Sequence, residues 1–93
     1  VIRTFGDKNT ERIWHEYYVK GIDRKVQRAT LRKLEQIHAA QNVEDLRIPP
    51  GNRLERLVGD RRGQHSVRVN AQWRICFVWK DGGADNVELV DYH

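Results

Sequence analysis

Arg68 and Arg74 stand in two short segments of alternating apolar residues, Ser66-Val67-Arg68-Val69-Asn70 and Trp73-Arg74-Ile75-Cys76-Phe77. A third apolar segment, Asn86 to Tyr92, brings in Asp91, Tyr92 and His93. Guanidinium is always charged and grips phosphate through two parallel hydrogen bonds. Histidine moves protons near neutral pH. Tyrosine stacks on a base, donates a hydrogen bond, or does acid–base work once its pKa is lowered. An aspartate in the same cluster can orient His93 or Arg74. Metal-free cleavage of RNA asks for this inventory. A base takes the 2′-hydroxyl proton, cations steady the charge that builds on phosphorus, and an acid protonates the departing 5′-oxygen. No His, Cys, Asp or Glu pair has zinc-ligand spacing, so no metal or cofactor is expected. Gly82-Gly83 signals a hairpin rather than a nucleotide loop.

These side chains meet only if the segments pair as strands. Side chains alternate across a strand, so Val67 and Val69 point one way and Ser66, Arg68 and Asn70 the other. Trp73, Ile75, Phe77 and Trp79 form one face of the next strand; Arg74, Cys76, Val78 and Lys80 form its reverse. Pairing through the tight Asn70–Gln72 connection puts Arg68 and Arg74 together on one surface. Like charges so placed repel. Either a phosphate between them or a carboxylate such as Asp91 or Glu88 relieves the repulsion, and a resting ion pair that opens on substrate satisfies both readings.

The remaining elements follow from periodicity and punctuation. Val1–Phe5, β-branched and aromatic, reads as a first strand. Asp7, Asn9 and Thr10 are helix-capping types, and Ile13, Trp14, Tyr17 and Tyr18 form the apolar face of a helix that Gly21 stops. A second helix runs from about Asp23 to about Ala40, with Val26, Ala29, Thr30, Leu34, Ile37 and Ala40 on one stripe at ~100° per residue. Arg24, Arg28, Arg32 and Glu35 occupy its solvated side. Ile48-Pro49-Pro50-Gly51-Asn52 is a loop. Strands are expected at Leu54–Val58, His65–Asn70, Trp73–Lys80 and Asn86–Tyr92, with turns at Gly59–Gly63, Asn70–Gln72 and Asp81–Asp85. The sum is a single α+β domain over residues 1–93: two N-terminal helices packed on one face of a twisted, mostly antiparallel β-sheet. Trp73, Ile75 and Phe77 should lie beneath the helices, opposite Val26, Leu34 and Ile37.

Composition bounds the partner. With 93 residues, 39% hydrophobic and 32% charged, the chain is an ordinary globular one with room for one core. A net charge of +4 and a pI near 9.6 favour a polyanion, or an acidic protein covering the same surface. Cys76, the lone cysteine, sits in an apolar segment and reads as a buried, inert thiol. No stretch approaches ~20 apolar residues, and the N-terminus lacks a basic-then-apolar leader. The expected compartment is the cytoplasm. His15 and His38 read as structural; His65, at the start of a strand, is a minor candidate for the site.

The second half resembles a known family. Gly-Asp-Arg-x-Gly at 59–63, Ser-Val-Arg-Val-Asn at 66–70, Trp-Arg-Ile-Cys-Phe at 73–77 and the terminal Asp-Tyr-His are similar to the HigB toxins. These are the plasmid-maintenance killer branch of the RelE/ParE superfamily. Ile2-Arg3-x-Phe5 extends the resemblance to nearly the whole chain. It implies a RelE-like fold and a ribosome-dependent endoribonuclease that cuts mRNA and arrests translation. It also implies a HigA-like helix-turn-helix antitoxin, through which alone the toxin would reach operator DNA. The catalytic set it implies is Arg74, Tyr92 and His93, with Asp91. In the best-known branch a His-x-x-Lys pair precedes Gly-Asp; here those positions are Glu55 and Val58. Glu55 then either replaces the histidine as base or is a surface carboxylate paired with Arg53 or Arg56. Arg68, Arg53 and Arg56 are the expected RNA-binding cations. Two other readings share the fold: a ParE-like inhibitor of DNA gyrase, which has no need of the Arg74 and Asp-Tyr-His group, and a weakened toxin that only binds antitoxin or RNA.

Overall fold

In the computed structural model, which describes residues 1–92, two helices lie against an antiparallel sheet. Helix α1 is Lys8–Trp14 and α2 is Arg24–Ala39. Strands β1 (Glu55–Arg56), β2 (Gln64–Arg68), β3 (Trp73–Lys80) and β4 (Gly83–Asp91) follow in the order β1-β2-β3-β4. This is the α+β arrangement expected from the sequence.

The apolar alternation sorts the sheet into two faces. Val67, Ile75 and Phe77 turn toward the helices and join Ile13, Val19, Leu34, Ile37, Leu46, Ala84 and Val87 in one core. Ile75 and Phe77 are fully buried as expected, but Trp73 and Val26 are only half-buried and do not join that core. The predicted first strand is interrupted. Ile2 and Phe5 make isolated parallel bridges to Ala84 and Val87. Between them β4 carries an extra residue relative to β3, since Cys76 faces Glu88 while Val78 faces Asp85. Asn86 sits in the bulge at φ 52°, and its amide donates to Thr4 Oγ1 at 2.8 Å instead of to a strand carbonyl. The Arg3–Asp85 ion pair, 3.0 Å, fastens this edge.

Helix α1 is shorter than the sequence suggests. Asp7 caps it, accepting from the Thr10 amide, but it stops at Trp14 and not near Gly21. Glu16 turns left-handed (φ 64°). Its amide donates to Ile13 (2.9 Å), and the Tyr17 amide donates to Arg12 (2.9 Å). This double closure is the Schellman pattern, usually built on glycine. Tyr17 and Tyr18 consequently leave the apolar face and are exposed, while Val19 takes the buried position. The Gln27 side chain holds the linker: it accepts from the Val19 amide and donates to the Val19 and Ile22 carbonyls. Helix α2 matches its expected span, capped by Asp23.

The connection from α2 to β1 is organised by one buried amide. Asn52 Nδ2 donates to Gln36 Oε1 (2.9 Å) and to the Leu46 carbonyl (3.1 Å), while its Oδ1 accepts from Lys33 Nζ at 2.6 Å. A proline-rich loop with no regular ladder is thereby fixed against α2. Between β2 and β3, Asn70 Oδ1 accepts from the amides of Gln72 and Trp73, both at 2.8 Å. That side-chain turn ends β2 at Arg68, two residues before the expected Asn70.

His65, in register with Phe77, points to the helix-facing side and stacks on that ring at 6.2 Å. It is a core-margin residue, not part of the opposite face that carries Arg74. Its Nδ1 is buried without a hydrogen-bond partner among the described residues. Burial, with Arg56 and Arg47 nearby and only Glu44 opposing them, lowers its pKa from the ordinary value.

Two outcomes follow for stability. Asn52→Ala orphans carbonyls and the Lys33 ammonium together, so it should cost about 2–3 kcal/mol and lower the melting temperature by roughly 10 °C or more, read by circular dichroism. The folded state resists protonating His65 more than the unfolded chain does. The stability it contributes is therefore complete above about pH 6.5 and is lost as pH falls through that value and below. His65→Phe should flatten this part of the profile. Parallel melting temperatures of variant and wild type from pH 7.5 to 5 would show that His65 does not titrate in this way.

Candidate functional site

The sheet face turned away from the helices carries the candidate chemistry. Arg74 is its centre and is 8% exposed. A buried guanidinium must be saturated with acceptors or it destabilises the fold. Nε donates to Ser66 Oγ at 2.8 Å, and Nη2 donates to the Arg53 carbonyl at 2.7 Å. Ser66 is in register with Cys76 on β3 and with Glu55 on β1, so strand pairing alone puts hydroxyl, guanidinium and carboxylate on one surface. Arg53 offers its carbonyl from a left-handed backbone (φ 44°, ψ 55°), just where the proline loop turns into β1.

Glu55 Oε1 lies 3.8 Å from Arg74 Nη2, too long for a hydrogen bond but close enough for a strong Coulomb interaction. Over half of the Glu55 side chain is exposed (55%), so the pair holds at most about 1 kcal/mol of stability. Its partner is Arg74, not Arg53 or Arg56. The Tyr92 ring centroid is 5.9 Å from Arg74 Cζ, and Tyr92 is half-exposed. Arg74 Nη1 has no hydrogen-bond partner among the described residues.

Arg68 is the register partner of Arg74, at a Cα separation of about 5 Å for such pairs. The two charges avoid each other because Arg74 folds back onto Ser66 and Arg53. The Arg68 guanidinium stays half-exposed with no partner among the described residues. The remaining expected site residues divide. Asp91 is in register with Trp73, which alternation places on the helix-facing side, and accepts from Gln72 Nε2 at 3.1 Å. Arg53 meets the site through its backbone. Arg56, in register with His65, lies on the helix-facing side at the sheet edge and does not join the Arg74 group. His93 lies outside the described residues.

Two participants escaped the sequence reading. Ser66 is fully buried as the seat of Arg74, and its only signal was alternation with Arg68. Arg61 reaches the same face from the Gly59–Arg61 turn and pairs with Glu88 at 2.7 Å. Its signal was the Gly-Asp-Arg-x-Gly motif: Gly59 and Gly63 take positive φ (69° and 89°) to bracket the turn. Glu88 thus serves Arg61 and not Arg68 or Arg74. Cys76, between these groups, is fully buried, and burial pushes its thiol pKa up, away from reactive thiolate. Among the described residues no group of three His, Cys, Asp or Glu side chains comes together to hold a metal, and no helix is long and apolar enough to cross a membrane.

Comparison with known proteins bears on this arrangement. Residues 3–93 match the family described as RelE-like toxin of type II toxin-antitoxin system HigB. Toxin HigB-1 of Vibrio cholerae serotype O1 is 52% identical over 68 residues, 73% of this chain and 72% of that protein. Endoribonuclease HigB of Proteus vulgaris is 28% identical over 93 residues, all of both chains. Among solved structures, the YoeB-YefM complex from Staphylococcus aureus aligns with a TM-score of 0.63 at 14% identity, over all of this chain and 98% of the other, a likeness of fold. With a match that spans nearly its whole length, this chain belongs to the HigB family of RelE-like toxins of type II toxin-antitoxin systems.

Proposed function

We propose that this toxin is a ribosome-dependent endoribonuclease that cuts mRNA without a metal. The observation that carries the reading is the placement of Arg74, desolvated and fixed, with an exposed carboxylate at 3.8 Å and an aromatic hydroxyl-bearing ring at 5.9 Å. A phosphate entering between Glu55 and Tyr92 meets the open Nη1 of Arg74. Glu55 takes the proton of the adjacent 2′-hydroxyl, whose oxygen attacks phosphorus. Arg74 stabilises the charge that builds on the non-bridging oxygens. The bond to the 5′-oxygen breaks, and His93 or Tyr92 supplies its proton. The products are a 2′,3′-cyclic phosphate and a 5′-hydroxyl. Glu55 thereby stands in for the histidine of the better-known branch. Arg68 and the Arg53 side chain steer the RNA backbone, and Asp91 braces the terminal segment through Gln72. The full-length similarity to a protein named Endoribonuclease HigB supports the reaction class.

The partner follows from the family. A basic nuclease face needs masking when idle, and the similar YoeB fold is solved in a toxin-antitoxin complex. We infer a HigA-like helix-turn-helix antitoxin, through which the toxin reaches operator DNA, and a cytoplasmic site of action on ribosome-bound mRNA.

Arg74→Ala should lower cleavage by about 100-fold or more, and Arg74→Lys should recover little because a point charge lacks the fork. Glu55→Gln should lower cleavage comparably while leaving the melting temperature within a few degrees. The measurement is mapping of mRNA 5′ ends after brief induction without antitoxin, with circular dichroism as the control for folding. Codon-register cuts bearing 5′-hydroxyl ends are expected from wild type. Folded Arg74→Ala cutting at the wild-type rate would remove Arg74 from the chemistry, and growth arrest with intact mRNA but inhibited gyrase would favour the ParE-like alternative. Co-expression of the adjacent helix-turn-helix gene should restore growth; continued arrest, with both proteins present, would refute the partner.

A further inference from the structure

We propose that Arg61 forms a second phosphate subsite beside the one at Arg74, and that Glu88 occupies it until RNA arrives. The proposal rests on the nuclease reading above and adds a residue to the binding face.

Arg61 is held at one edge and open at the other. Its Nη1 donates to Glu88 Oε1 at 2.7 Å and to Gln64 Oε1 at 3.0 Å. Nε and Nη2 have no partner among the described residues, and a third of the side chain (32%) reaches solvent. Glu88 is in register with Cys76, two residues along β3 from Arg74. One such strand repeat is roughly 7 Å, the order of the spacing between neighbouring phosphates of an extended strand. Cys76 is buried between them and keeps the floor flat and uncharged. Tyr92 borders the first of these cations, with its ring centroid 5.9 Å from Arg74 Cζ.

The energetics suit an exchange of partners. A part-exposed ion pair contributes only about 0–1 kcal/mol, so detaching Glu88 is cheap. A phosphate offers two acceptor oxygens to a fork that Glu88 engages through one nitrogen. Two cations in line, with Arg61 released from Glu88, would hold two successive phosphates of the RNA.

The opposing reading is that the pair only ties the Gly59–Arg61 turn to the sheet. The two differ in sign. As a tie, Arg61→Gln and Glu88→Gln break the same bond and act alike. As a subsite, they act oppositely on RNA. Binding of the purified toxin to an uncleavable 2′-O-methyl oligoribonucleotide is measured by anisotropy across a salt series. Arg61→Gln should weaken binding roughly tenfold and reduce the salt slope by about 0.7, with kcat for cleavage nearly unchanged and KM raised. Arg61→Lys should restore the slope. Glu88→Gln should tighten binding and steepen the slope. Equal weakening by Arg61→Gln and Glu88→Gln, or an unchanged slope in Arg61→Gln, overturns the subsite while wild-type cleavage leaves the nuclease reading standing. A wild-type protein that neither binds this oligoribonucleotide nor cuts mRNA on ribosomes overturns both.

Discussion

A charge buried in a small protein constrains everything around it, and here that charge is Arg74. Its guanidinium is almost wholly withdrawn from water on a sheet face with no helix to cover it. The fold supplies acceptors from two directions: the Ser66 hydroxyl on the neighbouring strand and the Arg53 carbonyl from the loop that enters β1. Removing either would leave a desolvated donor, which costs far more than a surface hydrogen bond. The proline loop, the edge strand and the central hairpin are thus bound to one side chain. In the proposed reaction this fixed position suits a developing phosphate charge, because a cation already oriented need not reorganise.

The two faces of the sheet divide the work. Toward the helices, Val67, Ile75 and Phe77 enter a continuous apolar core. Away from them, the alternate positions carry Glu55, Ser66, Arg68, Arg74 and Glu88, with Arg61 beside Glu88 and Tyr92 beside Arg74. A single register therefore sets the core on one side and the candidate site on the other. A slip of one residue between β2 and β3 would exchange both at once, which gives the Asn70 turn its importance in pinning that register.

Outside the sheet, polar side chains do the fastening that a chain of this size cannot obtain from apolar area alone. Asn52 fixes the loop to α2, Gln27 fixes the linker between helices, and Thr10 Oγ1 accepts from the Leu89 amide, joining α1 to β4. Each satisfies backbone groups in an irregular segment, where no ladder would. The segments so held are the ones that present Arg53 and Glu55 and the exposed Tyr17 and Tyr18.

The sequence by itself determined what depends on local periodicity. The α2 stripe from Thr30 to Ala40, the Trp73–Lys80 strand, the side of the sheet taken by Ile75 and Phe77, and the proximity of Arg68 to Arg74 all follow from repeats of 3.6 and 2 and from one short turn. The motifs around Arg74 likewise pointed to the family without coordinates. Tertiary structure decided what depends on contacts between distant segments. Nothing local to Glu16 announces a left-handed residue, so the end of α1 and the exposure of Tyr17 and Tyr18 were not legible. The partner of Glu55 is Arg74, 19 residues away and across two strand pairings, rather than the arginines beside it. Arg56 and His65, close in sequence to the site, face the other way because alternation acts on register and not on distance along the chain. A sequence records which groups are present and how they alternate; which carboxylate a buried cation meets is set only when strands from separate parts of the chain are brought to within a few ångströms.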